Sequence, residues 1–276
     1  MAVDKAHKKT DVILSKLEQA LRKDYSIEFT KLKKAIKESI GSMDIDKSLT
    51  PIERYNQAQK YNRLNKIEET IASEINNINK QALKSVNNNL VDIYKTNYAS
   101  SIDELAVLFA ISIPKVTNAE IKEEIKEEET PFDTLAINNA KDIVDLRKQV
   151  NRQFITSIMN GEDTNKLIKR IQKITELKLS DITRIARTQT TRIENLARLD
   201  AYKVVEKQGY KIVKQWVAVG DNRTRDAHKH ADGQMVEMNE AFKVGGEKLM
   251  YPGDPNGSPE NIINCRCTMR AGIRKL

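Results

Sequence analysis

Cysteine is nearly absent from this chain: there are 2 in 276 residues, one residue apart as Cys265-Arg266-Cys267. A disulfide across a single intervening residue is strained, which excludes a secreted disulfide framework and points to a reducing compartment. Aromatic residues are few as well, at 5%, with a single tryptophan. Set against 31% charged residues, that scarcity excludes a thick globular interior and favours long, partly solvated helices. No apolar run approaches the length of a membrane span, and the start, Met1-Ala2-Val3-Asp4-Lys5, has no signal-peptide core. No membrane anchor is therefore expected, and the chain is expected to be made and kept in the cytoplasm unless a larger assembly carries it out.

Glycine and proline are sparse in the helical part of the sequence, and eight of the ten glycines lie from Gly209 onward. Before that point the periodicity is helical. Ile13, Leu17, Leu21, Leu32 and Ile36 fall three or four apart with an interruption near Tyr25-Ser26, which predicts one broken helix or two short ones ended by Gly41. Thr50-Pro51-Ile52-Glu53 is a helix start: the threonine caps, the proline suits the first helical position and the glutamate reaches back to the cap amide. The stripe Leu64, Ile67, Ile71, Ile75, Ile78, Ala82 then predicts a long helix over about 51–98, roughly 70 Å at 1.5 Å per residue. Such a helix must pack along another helix or a second copy of the chain, so self-association through it is expected.

A short apolar segment, Ser101 to Ile113, should stop at Pro114, and the charge run from Lys122 to Glu129 marks a boundary. Thr130-Pro131 repeats the start signal, Asn160-Gly161 closes that helix, and Asp163 or Thr164 caps the next. A further helix is expected from Ser180 or Asp181 to Gly209. After Gly209 the pattern becomes that of a small mixed unit: a strand from Ile212 to Val219, a helical turn or two from Thr224 to Ala231, a short strand from Met235 to Glu237, a loop from Pro252 to Pro259 and a returning strand from Cys267 to Ile273. The fold class is α+β, mainly α, with elongated helical N-terminal and central regions and a small C-terminal α+β module. The expected division is a helical arm over 1–129, a central helical region over 130–209 and the α+β module over 210–276.

Most of the residues that bear on chemistry lie in that module. His228, Cys265, Cys267 and Asp221 are of ligand type for a structural zinc, though a cysteine pair with one intervening residue is not the usual zinc knuckle. Alternatively Cys265 packs as a small apolar side chain and Cys267 faces away from it on a strand. His228 and His230, with Asp221, Asp232 and Asn264, also suit a metal-dependent nuclease centred on His228, but on a helix the two imidazoles diverge. The remaining reading is structural: Asp221, Arg223, Thr224 and Arg225 at a strand-to-helix corner, with arginines pairing Asp226 or Asp232. No nucleophile-base pair, phosphate-cradling loop or acid pair has a spacing that specifies catalysis. The formal charge of +8 favours an acidic partner such as DNA and leaves a plain DNA-binding protein as a further reading, but the basic residues are spread along the chain without a long block, so a well-solvated surface with a positive surplus stands as the alternative.

Taken in order, Ala186-Arg187-Thr188-Gln189, Trp216, Asp221-x-Arg223-Thr224-Arg225-x-x-His228, Asp232-Gly233, Phe242, Tyr251-Pro252-Gly253-Asp254 and Asn264-Cys265-Arg266-Cys267 resemble the phage Mu protein F-like head morphogenesis family over about residues 135–272. These are minor head proteins of tailed bacteriophages. The resemblance implies a non-enzymatic component that associates with the phage portal protein and other capsid or scaffolding proteins during procapsid assembly and affects DNA packaging or delivery. It implies assembly in the host cytoplasm and then a place in the virion. Relatives with a zinc-like arrangement have cysteines where Arg225 and His228 stand; Arg225 cannot ligate, and the resemblance implies ion pairs in its place. Some relatives carry toxin or ADP-ribosyltransferase domains downstream, and since Leu276 follows the resembling stretch closely, no such cargo is expected here.

Overall fold

The structure, a computed structural model, describes residues 4–41, 46–60, 63–109 and 131–272. It is α+β and mainly α. Helices α1 (Lys5–Gly41), α2 (Pro51–Lys60), α3 (Arg63–Phe109), α4 (Pro131–Met159) and α5 (Thr164–Lys207) come first. A small module follows: β1 (Val213–Val217), α6 (Asp226–Ala231), β2 (Met235–Glu237), β3 (Phe242–Val244), β4 (Glu247–Leu249), α7 (Pro259–Ile262) and β5 (Thr268–Gly272). The charge run Lys122–Glu129, the helix stop at Pro114 and the cap at Thr130 lie outside the described residues.

In space the chain forms two compact units, neither of them a single stretch of sequence. One comprises Met1–Glu18, Ser85–Glu128 and Thr183–Leu276; the other comprises Gln19–Lys84 and Glu129–Ile182. Consecutive segments divide the chain by composition along its length, whereas compactness interleaves it, because α1, α3 and α5 each supply residues to both units.

Three helices differ from what their patterns predict. The break near Tyr25-Ser26 does not occur: Tyr25 is itself buried in register with Leu17, Leu21, Leu32 and Ile36, and its hydroxyl donates to Asn79 Oδ1. An aromatic with a polar tip continues an apolar stripe when the tip finds a partner. No helix starts at Ser180 or Asp181, since α5 passes through both with Ile174 and Ile182 buried on either side and Ser180 exposed. The segment from Ser101 is not separate; it is the end of α3, which runs on to Phe109. By contrast the capping box at α2 is formed, with Glu53 Oε2 accepting from the Thr50 amide at 2.9 Å and its hydroxyl at 2.7 Å. Asp163 caps α5 through the Asn165 amide at 2.7 Å, and Gly161 closes α4 with φ +60°, a conformation that glycine adopts without steric cost.

The second unit has a four-helix core: Leu32 and Ile36 of α1, Ile71 and Ile75 of α3, Val150 and Phe154 of α4, and Ile168 and Ile171 of α5. In the first unit, the central strand β1 pairs antiparallel with β2 on one side and β5 on the other, with Trp216 opposite Met269 and Val217 opposite Thr268. Every residue of β1 is buried, so its β-branched and aromatic run reads as a strand covered on both faces. A hairpin absent from the sequence-based expectation joins β3 to β4 through Gly245-Gly246, both at positive φ. Its signal is nonetheless local, a two-glycine loop between short alternating runs. No described helix is long and apolar enough to cross a membrane.

Candidate functional site

The site is built on one face of α5. Thr188, Thr191, Asn195 and Arg198 recur at spacings of three and four, so they line up along the helix. Each meets the returning chain in turn. The Thr188 hydroxyl accepts the Asn264 amide at 3.1 Å, and Thr191 donates to the Cys265 carbonyl. Asn195 donates to the Cys267 carbonyl at 3.2 Å and accepts the Met269 amide at 2.9 Å. Arg198 donates to the Met269 carbonyl at 3.2 Å. An amide side chain that both donates and accepts reproduces a strand neighbour, so the helix acts as an edge for the segment bearing the cysteines. Gly253 brings a second loop onto the same helix: its φ is +84°, and a Cβ there would lie 3.0 Å from the Arg192 backbone.

The other half of the site is the corner between β1 and α6. Asp221 Oδ1 accepts from the Arg223 amide at 3.0 Å, the Thr224 hydroxyl at 3.0 Å and Arg266 at 2.6 Å. The Arg266 bond, with the others, holds this carboxyl well below the usual carboxylate range. Arg225 donates to the Ile263 carbonyl, and Asp232 accepts the Ala218 amide at 2.9 Å, fixing the turn at Gly233. Asp226 pairs with Lys229 at 3.0 Å, and Arg223 lies 3.7 Å from Asp221.

At the centre His228, Cys265 and Cys267 are all buried, their ligand atoms within 4.8 Å of one another. His228 Nδ1 lies 3.3 Å from Cys267 Sγ and 3.6 Å from Cys265 Sγ. Zinc-sulfur and zinc-nitrogen bonds of about 2.3 and 2.0 Å at a tetrahedral angle put nitrogen and sulfur about 3.5 Å apart, so the two separations here lie close to what a zinc-type ion requires. The thiols are also unlike each other. Hydrogen bonding from Cys267 and then from His228 lowers Cys265 well below the usual thiol range, while the bond to Cys265, reinforced by burial, pushes Cys267 up. Trp216 covers the cluster, edge-on to His228 at 5.7 Å and to Phe242 at 5.3 Å.

The structure thus brings Trp216, Asp221, Thr224, Arg225, His228, Asn264, Cys265, Arg266 and Cys267 into one place, and both sulfurs face the imidazole. Asp221 is occupied by Arg266 and stands outside the three-donor group. His230 is exposed and does not join His228. Arg187 points elsewhere, in a bidentate pair with Glu18 at 2.6 and 3.0 Å. Sequence reasoning missed Thr191, Glu194, Asn195 and Arg198, because on a helix as rich in polar and charged residues as α5 they do not stand out.

Glu194 adds a buried polar cluster beside the ladder. It accepts from the Thr268 hydroxyl at 2.8 Å and pairs with His7 Nδ1 at 2.8 Å and Arg198 at 3.3 Å. Burial pulls the His7 imidazole down, but the Glu194 carboxylate and its hydrogen bond, with Asp11 nearby, outweigh burial and the repulsion of Arg198, so the value is raised above 6.5. A raised folded-state value means that stability from this pair is complete below 6.5 and is lost as pH rises through the higher folded value. Urea midpoints of the wild type should therefore fall through this range relative to those of His7→Gln. Parallel pH profiles for the two proteins would sink the assignment.

A long helix hydrogen-bonded along a returning segment, and closed by one imidazole and two thiols, defines a clasp module. Residues 148–270 match the model of the family described as Phage Mu protein F like protein. Among curated proteins, Minor head protein GP7 of Bacillus phage SPP1 is 26% identical over 261 residues, covering 94% of this chain and 83% of that protein. NAD(+)–arginine ADP-ribosyltransferase EFV of Enterococcus faecalis is 30% identical over 124 residues, 45% of this chain but 25% of its own length. No solved structure matches the chain.

Proposed function

We propose that the chain is a minor head protein of a tailed bacteriophage that docks at the portal vertex during procapsid assembly and ends in the virion. The observation that carries this is the match to a minor head protein along 94% of the chain, which takes in the helices before the clasp as well as the clasp itself. The role is structural. The transferase likeness covers a quarter of that enzyme and supplies no argument for its activity here. Long helices with exposed apolar side chains such as Ile27, Val107 and Leu177 give rigid elements for packing against portal or sister subunits, and the formal charge of +8 suits a position beside packaged DNA.

The same reading includes a zinc-type ion in the clasp, held by His228 Nδ1 and the sulfurs of Cys265 and Cys267. When bound, such an ion cross-links the corner after β1 to the segment before β5. This chain's own contribution is to orient the donors: Trp216 packs on the imidazole, and Asn195 and Thr191 fix the carbonyls of the two cysteines.

Co-expression with a phage portal protein, followed by sucrose-gradient sedimentation, tests the docking. The chain is expected to move into the portal-sized fractions. A chain that remains at the top of the gradient at every ratio would overturn the proposal.

A further inference from the structure

We infer that the ion in the clasp has three protein ligands and that its fourth position is open to a small exogenous ligand, a water or an anion, in a cavity governed by Arg225. This inference rests on the metal reading above and goes beyond it. Among the described residues no fourth histidine, cysteine or carboxylate joins His228, Cys265 and Cys267. Asp221, the carboxylate at the corner after β1, has Oδ1 taken by Arg266 and Thr224.

What borders the donors instead is a cavity of about 10 Å³, enough for about one water. Its lining includes the three donors together with Val219, Arg225 and Arg266. A closed structural zinc site fills its fourth corner with protein, whereas an open one leaves the corner to solvent or substrate. This corner is left to solvent.

The charges around the cavity decide what it prefers. Two thiolates and a neutral imidazole together offset a divalent ion, so the complex is uncharged before the fourth ligand arrives. Arg266 and Arg223, which also lines the cavity, share Asp221 at 2.6 and 3.7 Å. Arg225 is anchored on the Ile263 carbonyl and has no carboxylate partner among the described residues, so its positive charge is unneutralised at the cavity wall. An anion entering the fourth position meets that charge in a partly dehydrated setting, where it counts for more than in bulk water. The ligand class is therefore a small anion or a water that yields to one.

Cobalt(II) as the metal and azide as the anion make the test. The full chain is expected to take up one cobalt per polypeptide, measured by elemental analysis, with the intense visible bands of four-coordinate thiolate ligation. Azide should shift those bands saturably. In Arg225→Gln, which keeps a donor for the Ile263 carbonyl, cobalt uptake should be unchanged and the azide dissociation constant about tenfold weaker, the loss of one nearby charge. Trp216 emission checks that the variant is folded. Cobalt bound one per chain with a spectrum indifferent to azide overturns the open position and leaves the metal reading standing. Failure to bind cobalt overturns the metal reading and this inference together. Equal azide affinity in the two proteins removes Arg225 from the site.

Discussion

Replacing Arg198 with alanine is expected to cost the clasp-bearing unit about 3–5 kcal/mol, the penalty for removing one member of a buried ionic cluster. The side chain is 1% exposed and meets Asp4 at 2.7 and 3.0 Å, Glu194 at 3.3 Å, the Asn97 side chain at 3.1 Å and the Met269 carbonyl at 3.2 Å. The energy at stake is mostly not attraction. Taking the guanidinium away leaves Glu194, 1% exposed, with His7 as its remaining basic neighbour and the Met269 carbonyl without its side-chain donor, and those poorly met groups dominate the loss. Against a typical total of about 5–15 kcal/mol, this is a large fraction. Trp216, the chain's single tryptophan, lies in the same unit, so urea titration followed by its fluorescence reports on the affected part directly. The comparison is Arg187→Ala, which breaks the better exposed pair with Glu18 and should cost at most about 1 kcal/mol. Equal losses in the two variants would show that burial does not set the strength of these ion pairs.

Trp216→Ala should be comparably damaging, at about 3–5 kcal/mol, for a different reason. The indole is fully buried in the middle of β1 and fills the space between His228 and Phe242. Its removal opens a cavity against the back of the imidazole, so the orientation of His228 and the stability of the sheet fall together. Trp216→Phe keeps an aromatic edge at the same place and should lose less than half as much. Because both substitutions remove the fluorophore, far-UV circular dichroism during thermal unfolding is the measurement. An alanine variant within about 1 kcal/mol of the wild type would show that the indole is not the keystone of this packing.

The two effects differ in how they could be foreseen. Trp216 announces itself: a lone tryptophan in a β-branched run before a glycine-rich stretch is a core residue on composition alone. Arg198 does not, because an arginine on a long helix ordinarily reaches water, and what buries this one is Asp4 together with the backbone of β5, residues 194 and 71 positions away. The same distinction runs along the helices. Helix starts at Thr50 and Asp163 were legible because a cap is a local hydrogen bond between residues three apart or fewer. The continuity of α1 through Tyr25 was not legible, because it depends on Asn79, 54 residues away, supplying the acceptor that makes a tyrosine acceptable in the stripe.

The metal-type cluster lies between these cases. Its members could be named from residue type alone, and so could the idea that the corner after β1 and the Cys265–Cys267 segment meet. Which residues would actually share a centre could not, since Asp221 and His230 were as eligible by chemistry as His228. Tertiary structure selected among them: α6 turns His228 inward and His230 outward, while Arg266 captures Asp221.

By itself, then, the sequence determined the helical character of the chain, the change of grammar at Gly209 and the family of its clasp, because periodicity, glycine placement and an ordered set of motif residues are properties of neighbours on the chain. It took the folded chain to show that two compact units interleave it, that the polar face of α5 serves as an edge for the cysteine segment, and that three donors rather than four converge among the described residues. Those outcomes depend on groups far apart in sequence satisfying one another's buried hydrogen bonds and charges, and no local pattern encodes which distant partner will arrive.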